Sequence, residues 1–273
     1  MAAIIIPAHN EERNIGRLLT LLTEHDWLNH YNIYVCCNGC TDKTEEIVRS
    51  FDGVNVISTE TPSKINAIRL VERLNIDYPR IYIDSDISID KDSVIKIVDY
   101  LSDQNEPYLA VPQPHIDTSK SALAVKKFYS VWIHTTHCVD DGYGSCVFAL
   151  NESARKLFDE FPEVISDDGF VRGIVPAGNI SVIEGAISTV SPPKTLGGLI
   201  KIKTRSKLGN YELKQLGYDI YQSVSGKPKH YKYVGASSMF VYYFVNLISA
   251  FYAGWKLKKL KNYVWQRDDT SRQ

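Results

Sequence analysis

Ile4, Ile5 and Ile6 form a β-branched apolar run closed by Pro7, a pattern that suits a short strand buried on both faces of a parallel sheet. Directly after it, Ile15, Leu18, Leu19 and Leu22 recur at three- and four-residue steps, which predicts an amphipathic helix. Glu11 and Glu12 lie near its start, where the helix dipole favours carboxylates. The alternation then repeats. Residues 33–37 read as a second strand, Asn38-Gly39 as a turn, and 41–51 as a helix opened by Thr41 or Asp42. A strand at 54–58, a helix around 63–74 and a strand at 80–84 follow. Repeated strand–helix–strand units predict an α/β fold with a mostly parallel, doubly wound sheet, and such sheets take ligands at the carboxyl ends of their strands. The informative loops are therefore 7–13, 38–42 and 84–86.

Beyond about residue 113 the pattern is mixed: a long helix over 119–137, a glycine-rich turn at 141–145 and a strand at 146–150. From about Thr204 the composition shifts, and Lys201, Lys203, Arg205, Lys207, Lys214, Lys227, Lys229 and Lys232 make the stretch basic. An aromatic apolar run at 239–255 comes next, continued by the lysine-rich 256–261. That run is shorter than the roughly 20 residues needed to cross a bilayer, and it contains Asn246. Tyr242, Tyr243, Phe244, Phe251, Tyr252 and Trp255, next to lysines, suit a helix lying in the interface of an anionic membrane. A core helix, a homodimer contact and a membrane span remain alternatives. No internal repeat or low-complexity segment interrupts the chain.

Charge and cysteine content narrow the classes. Lys+Arg 31 against Asp+Glu 32, a net charge of −1, gives no whole-chain signal for a nucleic-acid partner. Five cysteines make an odd number, so a disulfide framework is not expected and a reducing compartment is. Zinc fails on spacing: Cys36 and Cys37 point to opposite faces of a strand, and Cys138 and Cys146 form no second ligand pair. The first residues lack a basic leader and a small-residue cleavage site, so a cytoplasmic protein is expected.

Two acidic clusters carry candidate chemistry. Asp84-Ser85-Asp86 directly follows the apolar Ile81-Tyr82-Ile83, and two carboxylates one residue apart at a strand end can face one hard cation that grips a diphosphate. Taken alone, such a triplet is also an ordinary acidic turn. Asp167-Asp168 is a second pair between apolar flanks. Paired carboxylates raise one another's pKa, a route to a general base near neutral pH, and the same pair could simply cap a helix that includes Phe170 and Val171.

In order along most of the chain, these pieces resemble family 2 glycosyltransferases, which are inverting, usually metal-dependent enzymes of the GT-A fold. Ile4-Ile5-Ile6-Pro7-Ala8-His9-Asn10-Glu11-Glu12 looks like that family's first strand and nucleotide loop. Asn38-Gly39-Cys40-Thr41-Asp42-Lys43-Thr44 looks like its D-G-S-T-D-x-T segment, and Lys64 with Ala67 like its K-x-x-A motif. Asp84-Ser85-Asp86 resembles the D-x-D, and Asp167-Asp168 the E-D that supplies the base. Thr195-Leu196, Lys203, Arg205 and Gly209 are similar in part to the stretch holding Q/R-x-x-R-W in the polysaccharide-forming branch. Ser206 stands where that branch has tryptophan, so a processive polymer channel is not implied.

The resemblance implies Pro7, Ala8, Asn10 and Glu12 around the nucleoside, Asn38 where an acidic residue often contacts the base, and Lys64, Asp84 and Ser85 on the donor. Asn38 swaps an acceptor-only group for one that donates and accepts, which leaves the identity of the base open. Asp86 with Asp84 would hold a divalent cation, Mn2+ or Mg2+. Asp168, beside Asp167, would deprotonate the acceptor hydroxyl, while Arg205 and the metal offset charge on the leaving diphosphate. The implied donor is a nucleoside diphosphate sugar, UDP-sugar favoured, and the acceptor a hydroxyl of a glycan or lipid-linked molecule. The expected division is a GT-A domain over 1–203, with a nucleotide-binding half at 1–112 and an acceptor-side half at 113–203. A basic, helical C-terminal tail at 204–273 would then contact the inner face of the cell membrane peripherally through 239–261.

Other nucleotide folds fit less well. No G-x-G-x-x-G follows the first strand, where Pro7-Ala8-His9-Asn10 occupies the turn, which sets aside a dinucleotide oxidoreductase. The glycine-rich, arginine-containing phosphate loop of a nucleotidylyltransferase is also missing. A catalytically silent nucleotide- or glycan-binding subunit is the alternative from another class, and retention of Asp84, Asp86 and Asp168 argues against it. His9, His115, His134 and His137 are expected in structural or acceptor-side places, not as metal ligands.

Overall fold

The structure is a computed structural model that describes residues 1–218 and 234–259. In chain order it runs β1 (Ala2–Ala8), α1 (Ile15–Leu22), β2 (Tyr31–Asn38), α2 (Thr44–Arg49), β3 (Asn55–Thr59), α3 (Lys64–Glu72), β4 (Arg80–Ile83), β5 (Ser88–Ile89) and α4 (Lys91–Ser102). It continues through β6 (Leu109–Ile116), α5 (Leu123–Trp132), α6 (Thr136–Val139), β7 (Val147–Leu150), α7 (Glu152–Arg155), α8 (Asp167–Ile174), β8 (Ile180–Val190), α9 (Leu196–Gln215) and α10 (Ala236–Lys259). Two compact units interleave: Met1–His115, Gly144–Glu163 and Val175–Val190 form the first, and Ile116–Tyr143, Val164–Ile174 and Ser191–Gln273 the second. The divisions expected at 112/113 and 203/204 fall inside β6 and α9 respectively.

The first unit is built on a sheet of order β3-β2-β1-β4-β7-β6-β8-β5. Its first four strands are parallel, with Ile4 opposite Ile33 on one side and Ile81 on the other. Beyond β4 the pairing turns antiparallel, so the sheet is mixed where continued parallel strands were expected. Every residue of β1 is buried, as a central strand covered on both faces requires. Ile15, Leu18, Leu19 and Leu22 are the buried face of α1, as their spacing predicts. Each such side chain removed from water contributes about 1.5–3 kcal/mol.

Local readings shift in four places. Pro7 lies within β1 instead of ending it, because pairing with β4 stops at Ile5 and Pro7 has only β2 beside it. The helix expected from Thr41 begins at Thr44, since acceptors on side chains take the preceding N–H groups: Asn10 Oδ1 that of Thr41 at 2.7 Å and Glu12 Oε2 that of Lys43 at 3.2 Å. The long helix over 119–137 is two, α5 and α6, broken where Thr135 adopts an extended backbone. The apolar stretch of α10 is longer than expected: Ala236–Leu257 is 22 residues of mean hydropathy 1.3, long and apolar enough to cross a bilayer.

In the second unit, Phe128, Val131, Leu199, Tyr242 and Val245 form a core in which α10 packs on α5 and α9. The opposite side of α10 leaves Phe240, Phe244, Leu247, Phe251 and Trp255 exposed. Lys227, Lys229, Lys232 and the 260–261 end of the lysine-rich continuation lie outside the described residues.

Candidate active site

β1, β2 and β4 are parallel neighbours, so their carboxyl ends share one edge of the sheet, where Ala8, Asn38 and Asp84 lie. The loops after β1 and β2 are stitched together there. Asn38 donates its Nδ2 protons to the carbonyls of Ala8 at 2.8 Å and Cys36 at 3.4 Å, acceptors that fix the orientation of the amide. His9 Nδ1 meets the Asn38 carbonyl at 2.5 Å, and the Glu11 N–H donates to Thr44 Oγ1 at 2.6 Å. Asp42 accepts from the Glu12 N–H at 3.2 Å and the Thr44 N–H at 3.0 Å. Burial opposes ionisation of Asp42, but these hydrogen bonds outweigh it and hold the carboxyl below its usual value. Asn10 sits at φ 53 and Gly39 at φ 59, and a Cβ on Gly39 would meet Pro62 Cβ at 2.9 Å, so this turn requires glycine. Pro7 and Ala8 at the end of β1, Asn38 at the end of β2, and Asn10 and Glu12 in the loop after β1 are thus brought together.

The acidic triplet follows β4. The Asp84 N–H donates to the Cys146 carbonyl at 3.0 Å, and its Oδ1 is 2.6 Å from Lys64 Nζ at the start of α3. Ser63 caps that helix by accepting the Asn66 N–H, which fixes where Lys64 begins. Ser85 is buried, while Asp84 and Asp86 are half-buried. Among the described residues no group of three or more His, Cys, Asp or Glu could enclose a metal by itself. Two carboxylates do fit a Mg2+- or Mn2+-like cation whose remaining ligands are phosphate oxygens. Lys64 competes with such a cation for Asp84.

In the second unit, Asp167 and Asp168 fill the first turn of α8. The serine before them does the capping: Ser166 Oγ accepts the Gly169 N–H at 3.3 Å and donates its proton to Asp168 Oδ1 at 2.7 Å. Sequence reasoning missed Ser166, although a serine directly before the first turn of a helix is a capping signal. Asp167 is buried and Asp168 half-buried. The turn is clamped by α9. Glu212 accepts the Ile165 N–H at 2.7 Å, and a Cβ on Gly209 would lie 3.0 Å from Ser166 Cβ, so glycine permits the close approach. A Cβ on Gly169 would meet Ser166 Oγ at 2.6 Å. Arg205, also on α9, is half-buried and forms no ion pair among the described residues.

The family model "Glycosyl transferase family 2" matches residues 3–135. Mannosyltransferase PcManGT from Pyrobaculum calidifontis, in complex with GDP-Man and Mn2+, superposes with a TM-score of 0.61 at 15% identity, over 95% of this chain and 81% of that one. Glucosyl-3-phosphoglycerate synthase from Mycobacterium tuberculosis, with Mn2+, UDP and glucosyl-3-phosphoglycerate, gives 0.55 at 16% identity over 80% and 81%. S. aureus TarS 1–349 in complex with UDP gives 0.52 at 18% identity over 75% of this chain and 64% of that one, so the chain spans under two thirds of that structure. At these identities the superpositions show a shared GT-A-like fold and nothing further. No curated protein matches the sequence.

Proposed function

We propose, from the premise that a glycosyl transferase family 2 domain of GT-A fold spans residues 3–135 and makes this chain a glycosyltransferase, that it is an inverting enzyme moving a sugar from a nucleoside diphosphate to an acceptor hydroxyl. The observation that carries this reading is Asp84-Ser85-Asp86 at the carboxyl end of β4, on the edge where the β1 and β2 loops lie. Those loops would hold the nucleoside. Asn38 spends its donors on the backbone, so the group it keeps for a base is the acceptor Oδ1. An acceptor suits an N–H such as that of uracil or guanine, and UDP-sugar is the proposed donor.

Asp86 and Asp84 would hold a divalent cation, which when bound supplies Lewis-acid stabilisation of the leaving diphosphate. Lys64, already paired with Asp84, adds a fixed positive charge beside the same oxygens. Asp168 is the proposed base: the Ser166 hydroxyl occupies Oδ1 and orients the carboxylate, leaving Oδ2 to take the proton of the acceptor hydroxyl as the acceptor oxygen attacks the anomeric carbon and the diphosphate departs. Arg205 would offset charge on the departing diphosphate. The exposed face of α10 is read as a peripheral membrane contact, which would suit a lipid-linked acceptor.

The test is transfer or hydrolysis of nucleotide sugars with Mn2+ or Mg2+. Asp168→Asn is expected to lower kcat roughly 10²–10⁴-fold with donor binding retained, the usual loss for a positioned base. An unchanged rate removes Asp168 from this place.

A further inference from the structure

We infer that Cys37 and Cys40 close a reversible disulfide across the turn after β2 when a low-molecular-weight disulfide such as oxidised glutathione is present, and that closure weakens nucleotide binding; the second half rests on the reading above that the β1 and β2 loops hold the nucleoside. The two cysteines are spaced C-x-x-C, with Asn38 and Gly39 between them. Cys37 is the register partner of Ala8 across β1 and β2, and Cys40 Sγ donates to the Ala8 carbonyl at 3.4 Å. Both cysteines therefore stand against one residue of β1. The turn returns the chain to that level: Gly39 adopts φ 59, and its N–H donates to the Thr59 carbonyl at 2.7 Å. A hydrogen bond joins the Cys37 and Cys40 side chains themselves. Cys36, the neighbour on the strand, points to the opposite face and is fully buried.

Exposure sets the order of reaction. Cys40 is half-buried and Cys37 only 2% exposed, and the bond between them lowers Cys40 while holding Cys37 up, so the thiolate forms on the sulfur that a reagent can reach. The Cys40 thiolate attacks one sulfur of the glutathione disulfide and a mixed disulfide forms, while the other glutathione leaves as thiolate and takes up a proton. Capping Cys40 ends the bond that held Cys37 up. The Cys37 sulfur then attacks Cys40 Sγ and passes its proton to the second glutathione thiolate as that leaves. Two protein thiols lose two hydrogens in all, and one glutathione disulfide becomes two thiols. Without its proton Cys40 can no longer donate to the Ala8 carbonyl, the same oxygen that accepts Asn38 Nδ2 at 2.8 Å. The strain of the closed ring passes directly to Thr41, whose N–H is tied to Asn10 Oδ1 at 2.7 Å, so both loops shift.

The reduced full chain is incubated with oxidised glutathione, digested without reduction and read by peptide mass spectrometry. The peptide carrying Cys37 and Cys40 should become lighter by two hydrogens, hold no glutathione and regain its first mass with dithiothreitol. Cys37→Ala should stop at a glutathione adduct on Cys40, and Cys40→Ala should form neither product; Cys37→Ser takes the place of the alanine variant if that does not fold. Binding of UDP with Mn2+, followed by calorimetry, should weaken roughly two- to tenfold on oxidation, as loss of one hydrogen bond implies, and recover with dithiothreitol. In Cys40→Ala the oxidant should not change UDP binding. A glutathione adduct that persists on the native chain, a bond from Cys40 to Cys36 or Cys146, or UDP binding unchanged after complete closure overturns the inference. If the bond closes but UDP binds neither form, the donor reading falls and the disulfide stands.

Discussion

Cys40 shows how finely a single position is set. The Cys37 side chain lowers its thiol to about 7 against burial, while Sγ itself donates to the Ala8 carbonyl at 3.4 Å. Cys36 is pushed up to about 12 and Cys138 to about 11 by burial, and Cys37 is driven up by its bond to Cys40. A depressed thiol is largely thiolate above its pKa and loses that form as pH falls through it. Iodoacetamide should therefore modify Cys40 first, at a rate rising with pH around a midpoint near 7, read by peptide mass spectrometry. Cys37→Ala should move that midpoint toward the ordinary thiol value; equal labelling of all five cysteines would refute the arrangement. The acidic residues proposed to frame the chemistry were legible in the sequence because carboxylates in short apolar flanks stand out. The Lys64–Asp84 pair and the Ser166–Asp168 bond were not, since each needs a backbone turn or a helix start placed to within an ångström.

Among the elements, α3 and β4 matter most to the site, because one brings Lys64 and the other Asp84. A buried network holds them together: Glu72, at the end of α3, meets Arg80 at 3.2 Å, Arg155 Nε and Nη2 at 2.8 Å each and the Tyr82 hydroxyl at 2.5 Å. Desolvation opposes charge on Arg155, but Glu72 more than restores it, so the guanidinium stays ionised. Glu72→Ala would strand two arginines and is expected to cost about 3–5 kcal/mol, the usual penalty for breaking a buried pair from one side. Urea unfolding monitored by circular dichroism measures this, and a loss under about 1 kcal/mol would mean the network is solvent-screened. Hydrophobic spacing announced α1, α3, the four parallel strands β1 to β4, and β7, because each buries one face or both, but not β5, β6 or β8. It could not announce the α5–α6 break or the antiparallel half of the sheet, which depend on partners far along the chain.

The two sides of α10 differ. One side is settled: Tyr242, Val245 and Ala253 are buried, with Tyr242 stacked on Phe128 at 5.2 Å. The other side lines up Phe240, Phe244, Leu247, Phe251 and Trp255, spaced at three, four and seven residues and exposed. Apolar length alone would permit a span, but a helix already packed along one face offers lipid only the other, the geometry of an interfacial helix. Deleting the helix would bare Phe128 and Leu199, so aggregation would confound any loss of membrane binding. Surface substitution avoids this. Phe244→Glu with Phe251→Glu leaves the packed face intact and removes two side chains that would each contribute about 1.5–3 kcal/mol on insertion. Cosedimentation with vesicles containing phosphatidylserine should fall at least about a hundredfold in partition coefficient, while the melting temperature stays near that of the parent. If binding persists unchanged in the double variant, the aromatic face is not the membrane contact; if the parent never binds vesicles but elutes as a dimer that the variant loses, α10 is an interface between copies of this chain.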